Sequence, residues 1–207
     1  MEQKLFSTDM EDSLTLITSP SNSNAQSTNS VETLIPFYVR PGEPLDPGPG
    51  NFNMRTLIRS NQTNNQFSNV EGVLGPKLMG PTPHLHKDLD ELMYVFEGTA
   101  NVMIGKETYE VNAGGWIFRP RGIVHSFWNA SDTLLRYVDC FFNQNFEDYL
   151  EELFFKIIPH MVQNNLTPIS PEITKWMAVI DAKFGVTWFH EQRQAIIDKY
   201  ELQGHLI

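Results

Sequence analysis

From Asn53 to Phe142 the chain never keeps one pattern for long. It breaks into short runs, "MRTLIR", "ELMYVFEG", "TANVMIG", "ETYEVNAGG", "WIFRPRG", "IVHSFWN" and "LLRYVDCFF". Each is rich in Val, Ile, Phe, Tyr or Trp and is bounded by Gly, Pro, Asn or Asp. β-branched and aromatic side chains suit a pleated, half-buried surface, and turn-formers at this spacing leave no room for long helices. The spacing therefore predicts an all-β barrel or sandwich over residues 51–142.

The flanks differ from this middle. Residues 1–50 contain the polar stretch "SPSNSNAQSTNS" and the Pro/Gly-rich "RPGEPLDPGPG", which read as a flexible N-terminal segment and a linker that cannot be helical. Residues 143–207 read as a helical extension. "NFEDYLEELFFKII" spaces Phe146, Tyr149, Leu150, Leu153 and Phe154 at helical intervals. "SPEITKWMAVIDAKFG" opens with Ser170 and Pro171 and closes at Gly185, and "TWFHEQRQAIIDKYELQG" predicts a third helix capped by Thr187 and ending near Gly204. These helices are expected to pack on the outside of the barrel. The segment around "KFGVT" has the look of a helix-turn-helix, but its surroundings are acidic.

The net charge is −10, and it sits in the flanks: seven acids against two bases in residues 1–50, nine against five in 143–207, and nine against eight between them. Such a balance disfavours nucleic acid, which needs a basic footprint. No apolar stretch approaches the ~20 residues of a membrane span. The single cysteine, Cys140, excludes an intrachain disulfide and lies in an apolar strand-like run, where a buried, inert thiol is expected. The acidic start lacks the order of a signal peptide, so a cytoplasmic setting is the expectation.

The chemistry is concentrated in "HLHKDLDE", residues 84–91. Residues two apart on a strand share a face, so His84 and His86 can aim both imidazoles at one point. After the polar, turn-like "KDLD", Glu91 opens a new strand and can face the same interior, with Met93 and Val95; Asp90 is the competing carboxylate. Leu92, Tyr94 and Phe96 take the opposite parity, so both faces of this strand are apolar, as where a sheet is covered on both sides. His125 follows in a strand entered through Pro120 and Gly122. Three imidazoles and one carboxylate suit a first-row divalent ion that keeps open coordination positions. Alternation puts Phe127 on the His125 face, so Met93, Val95 and Phe127 form the expected apolar pocket wall. Arg119 and Arg121 flank Pro120 and are expected at the barrel rim, where an acidic substrate, a subunit contact and plain solvation are the alternatives. Trp116, Phe118 and Trp128 read as core, and His160, His190 and His205 as surface or capping groups.

These residues fall into the two motifs of the cupin superfamily. His84-x-His86-x4-Glu91-x6-Gly98 resembles the first, and Gly114-x5-Pro120-x-Gly122-x2-His125-x3-Asn129 the second. One position departs: where the family opens its first motif with glycine this chain has Leu78, with Gly75 and Gly80 nearby. The resemblance covers residues 51–157, and the stretch "FWNASDTLLRYVDCFFNQNFEDYLEELF" resembles the barrel exit and first helix of quercetin-dioxygenase-like single-domain cupins. It implies a double-stranded β-helix (jelly roll) and one divalent ion per chain, Fe, Mn, Ni, Zn or Cu, held by His84, His86, Glu91 and His125. The family spacing selects Glu91 over Asp90. It further implies Glu91 as catalytic base and dioxygenase chemistry on a small aromatic or enolic substrate. The other readings are an isomerase, epimerase or lyase, and a binding module without catalysis. The doubly apolar strand and the extended N-terminal segment lead us to expect a homodimer.

Overall fold

The short runs become strands of two antiparallel sheets in a computed structural model that describes residues 34–40, 46–47 and 52–204. The polar stretch of the N-terminal segment, most of the Pro/Gly linker, and His205 lie outside the described residues. In chain order the strands of the barrel are β1 (Asp46–Pro47), β2 (Phe52–Ile58), β3 (Phe67–Leu74), β4 (Leu78–Met79), β5 (His84–His86), β6 (Asp90–Glu97), β7 (Thr99–Ile104), β8 (Glu107–Asn112), β9 (Trp116–Arg119), β10 (His125–Asn129) and β11 (Leu135–Phe142). One sheet runs β1-β2-β3-β11-β6-β9; in the other β5-β10-β7-β8 are neighbours and β4 pairs with β10. This is the jelly-roll barrel that the resemblance implies, within the all-β class expected from the spacing.

Alternation along each strand fills the space between the sheets. Met93 and Val95 of β6, Val102 of β7, Phe127 of β10 and Leu135 and Tyr137 of β11 form one buried cluster. Burying one such side chain fully is worth roughly 1.5–3 kcal/mol, so this alternation sets the strand register. β6 pairs with β11 through Glu91↔Phe141, Met93↔Asp139 and Val95↔Tyr137, which fixes where Glu91 points. At the β6–β7 turn Gly98 has φ +77°, and a Cβ there would lie 2.3 Å from the Leu134 carbonyl oxygen. Only glycine fits that position.

The C-terminal extension packs against the barrel and shares a core with it. It comprises α1 (Phe146–Glu152), α2 (Ile158–Gln163), α3 (Pro171–Phe184), a strand β12 (Val186–Trp188) and α4 (His190–Tyr200). Phe146, Tyr149, Leu153, Ile157, Ile180 and Phe184 join Val70, Leu89 and Phe141 of the barrel in a second buried cluster.

Three expectations need correction here. The segment read as one helix has a π turn, Leu153–Ile157, between α1 and α2, with the Ile158 N–H bonded to the Leu153 carbonyl. Pro159 has no N–H to give to the carbonyl four residues back, and a wider turn relieves that mismatch. Thr187 is not a helix cap. Gly185, at φ +66°, ends α3, and Val186–Trp188 then pairs with β5, so α4 starts at His190 and ends at Tyr200, short of Gly204. Cys140 is only half-buried, although burial still pushes its thiol pKa up.

Candidate metal centre

The two strands that carry the histidines lie side by side. His84 of β5 pairs directly with His125 of β10. His86 shares His84's face, and Glu91 enters from β6 in the opposite sheet. All four side chains are buried, and one ligand atom from each can be chosen so that all lie within 4.8 Å of one another. The imidazole centroids are 4.6 Å apart for His84 and His125, 4.8 Å for His84 and His86, and 5.4 Å for His86 and His125.

Backbone carbonyls orient two of the rings. The Nδ1 of His84 lies 2.7 Å from the Thr82 carbonyl oxygen, and that of His125 lies 3.0 Å from the Ile123 carbonyl oxygen. A ring that donates Nδ1–H presents Nε2 as a lone pair, the form a metal binds. Burial, and then the neighbouring imidazoles of His125 and His86, hold the His84 pKa well below its ordinary value, so that ring is neutral at neutral pH. Burial alone would raise the pKa of Glu91; Arg119, His125 and His86 together hold it well below the usual carboxylate range.

Several of these atoms are buried with nothing to bond. Both ring nitrogens of His86, the Nε2 of His125 and the Oε2 of Glu91 lack a hydrogen-bond partner, although Glu91 Oε2 approaches His125 Nε2 to 2.7 Å. Leaving buried polar groups unsatisfied costs about 1–3 kcal/mol each, which makes such a cluster unfavourable unless something fills it. Three imidazoles and a carboxylate match a first-row divalent ion, so the cluster could hold one. Asp90 is taken out of the competition: its carboxylate accepts from the Arg121 side chain and backbone at the rim.

A cavity of about 90 Å³ adjoins the cluster, lined by His84, Glu91, Arg119 and Phe127 from the barrel and by apolar side chains of α1, the π turn and β12. Of the pocket residues expected from alternation, Phe127 lines this cavity. Met93 and Val95 share Glu91's face but are packed in the core cluster and are not among its lining residues. The far wall is instead Phe146, Tyr149, Leu150, Leu153, Phe154 and Trp188. Phe146 stands edge-on to His86 at 4.7 Å, and the Trp188 ring lies 4.9 Å from His84. The helical spacing of the C-terminal residues was readable in the sequence, but not which barrel opening they would close.

Arg119 is another residue that sequence reasoning misplaced. It is 1% exposed and points into the barrel, because β9 alternates: Arg119 and Ile117 face inward, while Trp116 and Phe118, expected in the core, are 59% and 52% exposed. Its guanidinium bonds to Asp139 through Nη2, sits 5.5 Å from the Phe127 ring centre, and brings Nε to 3.4 Å from Glu91 Oε2. Burial pushes the Asp139 pKa up to about 6, with Arg119 pulling against it. Arg121 does lie at the rim, and His160 pairs with Glu172 outside the cluster. Of the two glycines near the motif entry, Gly80 is at a close approach: its N–H bonds to the Phe127 carbonyl, and a Cβ there would lie 2.4 Å from that oxygen.

No helix among the described residues is long and apolar enough to cross a membrane. Residues 72–141 match the family model described as Cupin domain. No curated protein matches the chain. Among solved structures it is similar to KdgF from Halomonas sp., at 17% identity and TM-score 0.44, covering 49% of this chain and 87% of that one. It is similar to the polyketide cyclase RemF from Streptomyces resistomycificus, at 27% identity and TM-score 0.40, covering 48% and 70%. It is also similar to a predicted oxalate decarboxylase from Thermotoga maritima, at 22% identity and TM-score 0.41, covering 46% and 83%. The family match spans all four candidate ligand positions and both motifs, so the likeness of this chain to cupins lies in residues 72–141 and includes the candidate site.

Proposed function

We propose that this cupin is a metal-dependent oxidoreductase that consumes dioxygen while acting on a small aromatic or enolic molecule. The observation that carries this reading is the convergence of His84, His86, His125 and Glu91 beside a largely apolar cavity, whose wall includes His84, Glu91, Arg119 and Asp139. A divalent transition ion in that position would supply Lewis acidity and one-electron chemistry. The chain's own residues would do the rest. His84 and His125, fixed by carbonyls, keep the ligand set from rearranging. The aromatic wall excludes bulk water and holds a planar body against the floor. At about 90 Å³, the cavity suits a molecule of one ring better than a three-ring flavonol.

Glu91 is the proposed base for a substrate hydroxyl. A carboxylate held so low by Arg119 and the imidazoles is a weak base, so proton transfer to it requires its surroundings to shift as substrate enters. The test is an oxygen-electrode assay of metal-reconstituted protein against catechols, β-diketones and flavonols, repeated without oxygen. Oxygen uptake that depends on a one-ring substrate supports the reading. Equal turnover under anaerobic conditions would replace it with an isomerase or lyase, and saturable binding without turnover with a binding module.

A further inference from the structure

The metal-site reading leaves one buried cation unexplained. Arg119 contributes nothing to a ligand set of three imidazoles and a carboxylate, yet it stands in the wall of the same cavity at 1% exposure. A guanidinium has five N–H donors. Among the described residues its one hydrogen bond is to Asp139, and the buried Nε makes no hydrogen bond but faces the Glu91 carboxylate at 3.4 Å. Arginine is expensive to bury, and a strand position that merely needed filling would be better served by an aliphatic side chain.

Charge makes the point sharper. With the imidazoles neutral, as ligation requires, Glu91 and Asp139 outweigh Arg119 by one negative charge when no ion is present. A divalent ion reverses this and leaves one net positive charge in an apolar enclosure, where an uncompensated charge is strongly unfavourable. One monoanion would neutralise it. Above this floor stand Phe127, Phe141, Phe146 and Met54, which offer a candidate ligand nothing but apolar contact. The ligand that satisfies both halves is amphipathic.

We infer that Arg119 is the anion-recognising group of this cavity, and that the cupin takes a small one-ring molecule bearing a single carboxylate. The inference rests on the metal reading above, and it assigns to Arg119 a role no ligand position supplies. Asp139 is then a positioning residue: it holds Nη2 while Nε faces Glu91, and the donors these leave over are for a carboxylate, a group to which guanidinium is suited.

Binding of benzoate and of its neutral isostere benzamide to zinc-loaded protein tests this without any turnover, by calorimetry, with zinc content measured in each sample. Wild type should prefer benzoate by roughly tenfold or more, the worth of a charged hydrogen bond, and should lose benzoate on zinc removal. Arg119→Met alone would strand Asp139, so the informative variant is Arg119→Met with Asp139→Leu, which removes both charges and leaves the net charge of the floor unchanged. Discrimination should vanish there while zinc is kept. Arg119→Lys, which preserves charge and fold but not the fork, should weaken benzoate and spare benzamide. Full preference for benzoate in either variant would show that the ion alone selects anions and would overturn the inference, as would equal affinity for the two ligands in wild type. Failure of the wild type to hold zinc at all would instead remove the metal reading first, before any ligand is added.

Discussion

His84 and His125 are oriented by the same local device, a hydrogen bond to the carbonyl two residues upstream. That device leaves each Nε2 available and makes a metal-ready ring out of backbone geometry alone. Removing either ring should lower metal affinity by roughly a hundredfold or more while the barrel stays folded. Metal analysis and circular dichroism of His84→Ala and His125→Ala check this, and full retention of the ion in both would sink the assignment. Glu91→Gln keeps the shape and removes the charge that faces Arg119. It should abolish any proton transfer to that position, and it should also weaken the ion, so rates are to be normalised to bound metal. The ligand positions were legible in the sequence because period two and motif spacing fix which residues share a face. Arg119 was not, because Pro120 and Gly122 suggested a rim while the strand alternation of β9 turned the side chain inward.

At the scale of elements, the β6–β7 turn and the α1–α3 contact are the points where one substitution tells most. Gly98→Ala forces a Cβ into the Leu134 carbonyl at positive φ and should cost roughly 2–4 kcal/mol, read as a fall in the midpoint of urea unfolding. Tyr149 of α1 donates to Asp181 of α3 at 2.8 Å. Burial raises the Asp181 pKa, against the pull of that hydrogen bond. A folded chain that binds this proton more tightly than the unfolded chain gains stability at low pH, and loses it as pH rises through the raised value. Asp181→Asn should therefore flatten the dependence of melting temperature on pH just above the ordinary carboxylate value of about 4; an unchanged slope would remove Asp181 as its source. α3 was legible from Ser170, Pro171 and Gly185. The three residues of β12 were not, since so short a segment becomes a strand only when the edge of β5 is there to receive it.

The whole molecule divides its labour between barrel and extension. The barrel holds the candidate ligand set, and residues 146–188 supply much of the cavity wall and most of a shared core. A chain ending at Phe142 would expose Val70, Leu89 and Phe141, and is expected to aggregate rather than behave as a metal-binding barrel; soluble, metal-loaded protein after that truncation would contradict the shared core. On the opposite face, Phe96, Trp116 and Phe118 project from β6 and β9 into solvent, and β9 is the last strand of its sheet. A symmetric dimer through this aromatic face is the expected assembly. Light scattering at micromolar concentration should exceed the 23.7 kDa of one chain. Trp116→Glu with Phe118→Glu should return it to that value.

Alternation, turn residues and spacing are local properties. They determined the all-β middle, the helices of the extension and the three candidate histidines, each of which is written within a few residues of chain, while the motif resemblance selected Glu91 over Asp90. What only the tertiary structure decided is what stands around those ligands. The far wall comes from residues more than 50 positions after His86, brought over the barrel by the burial of Phe146, Leu153 and Phe184. The buried Arg119–Asp139 pair depends on two strands that meet only when the sheets close. Long-range packing is set by the total apolar surface buried, which is a property of the folded chain and leaves no local period to read.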